Sequence, residues 1–227
     1  MISSYKIIVA DDHPLFRTAL QQAVNQAVEA VTLLEAESIE SLQQVLEANA
    51  DTDLVLLDLH MPGAHGYSGL IYLRGQYPQI PVVMVSATED GYVINQAIEY
   101  GASGFIPKSS SQQSIGEAIQ TVLEGDVWQP EGSIGSTAAR RETKQDLAER
   151  IASLTPQQFK VLGMLTEGML NKQIAYDLNV SEATIKAHAT AIFKKLGVRN
   201  RTQAVIAVQQ LEIEPPQLGN ENDADTE

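Results

Sequence analysis

Five short apolar runs recur through the first 125 residues, and the stretches between them carry apolar residues at helical spacing. The runs are Tyr5–Ala10, Val31–Glu35, Leu54–Leu57, Val82–Val85 and Gly104–Ile106, each bounded by polar or turn residues. Short runs rich in β-branched residues, with no polar alternation, are strands buried on both faces. Between them Leu15, Phe16, Ala19, Leu20, Ala23, Val24 and Ala27 mark one helix face, and Ile39, Leu42, Val45 and Leu46 a second. Val93, Ala97 and Ile98, then Ile115, Ala118, Ile119, Val122 and Leu123, mark two more. Five strands alternating with helical stretches, four of them marked by this spacing, give an α/β fold, a doubly wound parallel sheet with right-handed crossovers. In such sheets ligands sit at the carboxyl ends of the strands, near the point where strand order reverses.

Beyond residue 125 the pattern changes. Residues 126–151 read as a linker, with Gly132, Ser133, Gly135, Ser136 and Thr137 ahead of a charged stretch and a helix expected over Thr143–Ile151. Residues 152–213 show only helical signals. Their first helix opens on Thr155-Pro156-Gln157-Gln158: a capping threonine, proline at the first position and a glutamine able to reach back. Residues 214–227 form an acidic tail expected to be disordered.

The net charge of −14 is unevenly spread. Residues 1–125 hold 4 Lys/Arg against 15 Asp/Glu, whereas residues 154–211 hold 7 against 3. A phosphate backbone responds to charge within about a Debye length, so the second segment suits nucleic acid despite the acidic whole. With no cysteine there is no disulfide framework, thiolate catalysis or cysteine zinc site. No run approaches the roughly 18 apolar residues of a membrane span, and the first residues lack a signal-peptide pattern. A cytoplasmic protein with no membrane partner is expected.

Asp11 and Asp12 follow the first strand and Asp58 follows the third; in a doubly wound sheet these ends are neighbours. Crowded carboxylates call for a cation, and Mg²⁺ suits carboxylates, a carbonyl and waters. Ser86 ends the fourth strand and Lys108 follows the fifth, so a hydroxyl and an ammonium reach the same edge. The set suits phosphoryl transfer, with Asp58 as nucleophile and Mg²⁺, Lys108 and Ser86 neutralising charge on the transferred group.

These residues stand in Val9-Ala10-Asp11-Asp12-His13-Pro14, Leu56-Leu57-Asp58-Leu59-His60-Met61-Pro62-Gly63, Ser86-Ala87 and Gly101-Ala102-Ser103-Gly104-Phe105-Ile106-Pro107-Lys108. Together they resemble the CheY-like (flavodoxin-type) receiver domains of two-component response regulators. The resemblance implies that Asp58 accepts phosphate from a sensor histidine kinase. It also implies Mg²⁺ held by Asp11, Asp12, Asp58 and the backbone carbonyl of His60, with Ser86 and Phe105 as switch hydroxyl and switch aromatic. In the loop Gly63-Ala64-His65-Gly66-Tyr67, His65 departs from what many relatives carry. An enzyme using the same nucleophile, a haloacid-dehalogenase-like phosphatase, would place a second aspartate two residues on. His60 stands there instead, so no enzyme is expected.

Two helical patterns, Asn171–Leu178 and Ser181–Leu196, flank Asn179-Val180 and form a helix-turn-helix candidate, with Ser181 as cap. Ile174, Ala175, Leu178, Val180, Ile185, Ala189, Ile192 and Leu196 supply its packing. Glu182, Lys186, Ala187, Thr190, Lys194 and Lys195 lie on the opposite face, suited to a major groove. Leu170–Ala175, Val180–His188 and Lys195–Ala204 resemble the LuxR/NarL-type (GerE-like) DNA-binding domain. By that resemblance Lys186, Ala187 and Thr190 face bases, while Lys172, Thr184, His188 and Lys195 contact phosphate or support the groove, and the helix Arg201–Leu211 dimerises. Gln158-Phe159-Lys160 departs from the family's glutamate-rich run. A transcription regulator is implied, a homodimer when phosphorylated that binds paired half-sites in promoter DNA.

Overall fold

Tyr5–Ala10 (β1), Val31–Ala36 (β2), Leu54–Asp58 (β3), Val82–Ser86 (β4) and Gly104–Pro107 (β5) hydrogen-bond into one parallel sheet of order β2-β1-β3-β4-β5. The structure is a computed structural model describing residues 4–130, 141–209 and 211, with residues 141–145 described by their backbone only. Both the glycine-serine part of the linker and the acidic tail lie outside the described residues. Four of the strands end one residue past the runs read from the sequence, so Ala36, Asp58, Ser86 and Pro107 are themselves final strand residues.

Alternation along each strand sorts side chains to two faces. Ile7, Val9, Leu54, Leu56, Val83, Val85 and Ile106 pack under Pro14–Ala27 (α1) and Gln112–Leu123 (α5). Ile8, Ala10, Val55, Leu57, Met84 and Phe105 face Ile39–Ala48 (α2), Ser68–Gln76 (α3) and Gly91–Glu99 (α4). Leu15, expected on the buried face of α1, is 89% exposed. It stands in the first turn of α1, where that helix only begins to cover the sheet. After α5, Trp128 caps the outer edge of β5: its N–H donates to Ser103 O and its carbonyl accepts from Phe105 N–H, both at 3.1 Å.

The C-terminal helices are Arg141–Ala152 (α6), Pro156–Thr166 (α7), Asn171–Asp177 (α8), Glu182–Leu196 (α9) and Arg201–Gln209 (α10). Thr155 and Gln158 form the expected reciprocal cap, Gln158 N–H to Thr155 Oγ1 at 3.3 Å and Thr155 N–H to Gln158 Oε1 at 3.2 Å. Between α8 and α9, Asn179 adopts φ +51°, a left-handed turn that asparagine tolerates. Val180, expected in the core, is 37% exposed because it lies in that turn rather than on a helix face. No helix among the described residues is long and apolar enough to cross a membrane.

Ser181 Oγ accepts from Thr184 N–H at 3.1 Å and so satisfies a first-turn amide of α9. Ser181→Ala is expected to destabilise the C-terminal helices by about 1 kcal/mol. Thermal unfolding followed by circular dichroism should show a lower midpoint, and an unchanged one would remove the cap from the explanation of where α9 starts.

The cores of the two units are continuous. Tyr72 of α3 stacks on Phe159 of α7 with ring centroids 4.1 Å apart. Gln76 Nε2 donates to the carbonyls of Ala152 and Leu154 at 3.2 and 3.0 Å. Sheet on one side and α6–α7 on the other leave Ser68 to Leu73 entirely buried.

Candidate functional site

The register of the sheet assembles the acid cluster. Ala10 pairs with Leu57, so the residues that follow, Asp11 and Asp58, emerge side by side. Ser86 pairs with Pro107, and Lys108 leaves β5 one residue later. Its N–H donates to Ser86 O at 2.6 Å, tying the lysine's backbone to the neighbouring strand end.

At this edge Lys108 Nζ lies 2.7 Å from Asp11 Oδ2 and 3.3 Å from Asp58 Oδ2. Asp11 and Asp58 are buried, while Asp12 is one-third exposed. Carboxylate oxygens of Asp11, Asp12 and Asp58, with a nitrogen of His13, all lie within 4.8 Å of one another. Burial pushes the Asp58 carboxyl above the usual carboxylate range, and the charge of Asp11 adds to this. Lys108 and a hydrogen bond from the His60 backbone pull the other way. Asp58 Oδ2 is itself a buried atom. A buried anionic oxygen met by one ammonium and crowded by further carboxylates is a position a hard cation fills. The donor set therefore fits the acidic kind of site at which receiver domains bind Mg²⁺.

Two residues not singled out by sequence as part of this site brace it. The Phe16 ring lies 4.6 Å beneath Lys108 Nζ, a cation–π contact that holds the ammonium between the acids. Arg17 Nη1 donates to Asp11 O at 2.6 Å while its Nε donates to Glu35 at 2.7 Å. Both occur in the helical stretch after the acid pair, but their reach to Lys108 and Glu35 is set only by the fold. Ser86 is buried, with its Oγ accepting from Thr88 N–H at 3.3 Å. Phe105 is fully buried on the α4 side of the sheet, and its backbone N–H is the one bonded to Trp128. His13 Nδ1 lies 2.6 Å from Asp12 Oδ1. His60 is exposed, two residues beyond Asp58.

The second candidate surface is α9. Ile185, Ala189, Ile192 and Leu196 point inward, leaving Glu182, Lys186, Ala187, Thr190 and Lys194 exposed on one continuous face. Lys186 pairs with Glu182 at 3.2 Å, and Thr190 Oγ1 donates to Lys186 O at 2.9 Å. Lys172 is exposed on α8. Thr184 shares its hydroxyl with the Ser181 cap at 2.8 Å, and His188 is half-buried. Lys195 is directed elsewhere than toward a groove. Its Nζ donates to Ser153 O at 2.7 Å and to Gln158 Oε1 at 2.8 Å, binding α9 to the α6–α7 corner.

A doubly wound sheet with an acid cluster at its switch point, joined to an exposed helix-turn-helix, defines a switch coupled to a nucleic-acid reader. Comparison with known proteins makes this specific. Residues 7–120 match the response regulator receiver domain, and residues 152–208 match the bacterial regulatory proteins of the luxR family. The chain is 43% identical to the glycerol metabolism activator of Pseudomonas putida over 213 residues, covering 92% of this chain and 96% of that protein. It is 30% identical to the nitrate/nitrite response regulator protein NarL of Escherichia coli K12, covering 90% and 94%. In fold it is similar to the RcsB response regulator of Salmonella typhimurium, with a TM-score of 0.53, 23% identity, and 92% and 100% covered. The chain belongs to the response regulators with a LuxR-type DNA-binding domain, and it is a transcriptional regulator rather than an enzyme.

Proposed function

We propose that Asp58 is the phosphoacceptor and that its phosphorylation by a sensor histidine kinase controls dimerisation and promoter binding. The observation that carries this reading is the buried Asp58 carboxylate, whose Oδ2 lies 3.3 Å from the Lys108 ammonium beside the carboxylate of Asp11. A carboxylate oxygen of Asp58 forms a P–O bond as the donor's P–N bond breaks. The electron pair leaves with the imidazole, which takes up a proton. Lys108 neutralises charge on the transferred group, and the Ser86 hydroxyl turns toward it once it has arrived. Asp11, Asp12, Asp58 and the His60 carbonyl would hold Mg²⁺, which when bound supplies further charge neutralisation.

In this reading residues 1–125 are the receiver, 126–151 the linker and 152–213 the DNA-binding unit, in a cytoplasmic protein. Lys186, Ala187 and Thr190 read base edges, while Lys172 and Lys194 meet phosphates, with Thr184 and His188 supporting the helix that reads. Two copies paired through α10 present two such helices to paired half-sites.

Acetyl phosphate labelling with mapping of the modified residue tests this. Phosphate is expected on Asp58 in the presence of Mg²⁺ and nowhere after chelation. Mg²⁺ alone should raise the thermal midpoint, adding about 2.7 kcal/mol at a hundred times its dissociation constant. Asp12→Ala should abolish both effects. Labelling elsewhere, or equal labelling without the metal, would remove the site from consideration.

A further inference from the structure

A histidine stands directly after the acid pair, and its ring fills neither of the two ordinary roles open to it there. Pro14 opens α1 and biases the residue before it toward extended backbone, which His13 adopts at φ −91° and ψ 107°. His13 is thus the capping residue of α1, yet its side chain makes no capping hydrogen bond. Nor is the ring packed into a core, since the side chain is 68% exposed. Its backbone N–H donates to Asp11 Oδ1 at 2.8 Å, which fixes the root of the side chain against the acids.

The imidazole turns to that cluster. Its Nδ1 lies 2.6 Å from Asp12 Oδ1 and 3.4 Å from Asp11 Oδ1. A ring nitrogen joins carboxylate oxygens of Asp11, Asp12 and Asp58 in a set of four donors within 4.8 Å of one another. Asp12 Oδ1 is buried, and the nitrogen beside it does not meet hydrogen-bond geometry. Four ligands each about 2.1 Å from a zinc ion stand roughly 3.4 Å apart, so the imidazole is spaced from the acids as a fellow ligand is. A divalent ion together with the Lys108 ammonium balances the three carboxylates. Mg²⁺ takes oxygen donors, whereas an imidazole nitrogen favours Zn²⁺ and its neighbours in the transition series.

We propose that His13 makes the acid cluster a zinc-type site, at which a transition-metal dication binds through the His13 imidazole, Asp11, Asp12 and Asp58 in competition with Mg²⁺. The two ions have opposite consequences. Mg²⁺ keeps positions for waters and for an incoming phosphoryl group. Four protein donors around Zn²⁺ close the site, and Asp58 is then held by metal rather than free to attack. Transition-metal supply thereby restrains phosphorylation. This inference rests on the acid cluster as metal site and on Asp58 as phosphoacceptor.

The test uses the full chain without an affinity tag, wild type and His13→Gln, titrated calorimetrically with Zn²⁺ and with Mg²⁺. Loss of a group that merely supports a metal ligand weakens binding by about 10–100-fold, so loss of the ligand itself should weaken Zn²⁺ at least about tenfold. Mg²⁺ keeps its oxygens, so the ratio of the two affinities should fall by the same factor. Asp12→Ala should weaken both ions, which places them at this cluster rather than at another histidine. In the wild type alone, Zn²⁺ should shift one histidine ring nitrogen into the metal-bound range of the NMR spectrum. With Mg²⁺ saturating, rising Zn²⁺ should suppress acetyl phosphate labelling, and His13→Gln should need at least about tenfold more Zn²⁺ for the same suppression.

An affinity ratio unchanged in His13→Gln, whether both ions shift or neither does, would overturn the proposal and leave His13 as a partner of Asp12. Zn²⁺ binding that survives Asp12→Ala in full would do the same, as would a spectrum in which no ring nitrogen moves or labelling that Zn²⁺ does not slow. If His13→Gln fails to fold, the wild-type ring spectrum and Asp12→Ala decide. If acetyl phosphate labels nothing, the phosphoacceptor reading fails, while the calorimetric ratio still reports on His13.

Discussion

An Asp58→Asn protein is expected to take up no phosphate from acetyl phosphate and, in metal-free buffer, to melt above the wild type. The first effect follows from loss of the attacking oxygen. The second follows from the direction of the Asp58 shift. Burial is its largest cause and outweighs the attraction of Lys108, so the folded-state pKa lies above that of the unfolded chain. The protein thus gives up stability as pH rises from the unfolded value, about 3.9, through the folded one, and does not recover it above. Asparagine is free of that cost at neutral pH while filling the same space. Adding Mg²⁺ should reverse the order, since the cation stabilises the carboxylate and gains little from an amide. An Asp58→Asn protein that melted lower without metal would show that Lys108 outweighs burial at this edge.

Lys186→Ala is expected to weaken sequence-specific DNA binding by about 1–3 kcal/mol for each half-site read, or roughly fivefold to 150-fold per half-site. Its partner in the free protein, Glu182, is exposed, and such a pair stabilises α9 by only a few tenths of a kcal/mol. The loss should therefore appear in binding with little change in melting. Lys194→Ala is the contrasting control, expected to weaken all sequences alike and to reduce the salt slope by about one. Anisotropy titrations across a salt series separate the two. Equal losses on specific and random duplexes for Lys186→Ala would move that residue from base reading to phosphate contact.

The receiver sheet was plain in the sequence because strands buried on both faces must be continuously apolar, and Ile7–Ala10, Leu54–Leu57 and Val82–Val85 are. The acid cluster was legible for a related reason, since parallel strands in that order leave Asp11, Asp58, Ser86 and Lys108 one geometry to adopt. Helix α3 gave no periodic signal. Ser68 to Leu73 have no solvent face, and only the docking of α6 and α7 explains why. Lys195 looked like one more cation of a basic helix. Its hydrogen bonds to Ser153 and Gln158 depend on a corner between helices that spacing along α9 does not encode. The Phe16–Lys108 contact, between α1 and the end of β5, is likewise set by the sheet rather than by local pattern.

The central claim is that phosphate on Asp58 changes how the helix-turn-helix binds DNA. A titration of full-length protein against a duplex selected for tight binding, at rising phosphorylated fraction and fixed salt, tests it most directly. Affinity is expected to rise in step with phosphate on Asp58, and the Asp58→Asn protein to stay at the unphosphorylated value throughout. An affinity that is the same at every phosphorylated fraction, or an Asp58→Asn protein that responds as the wild type does, would contradict it.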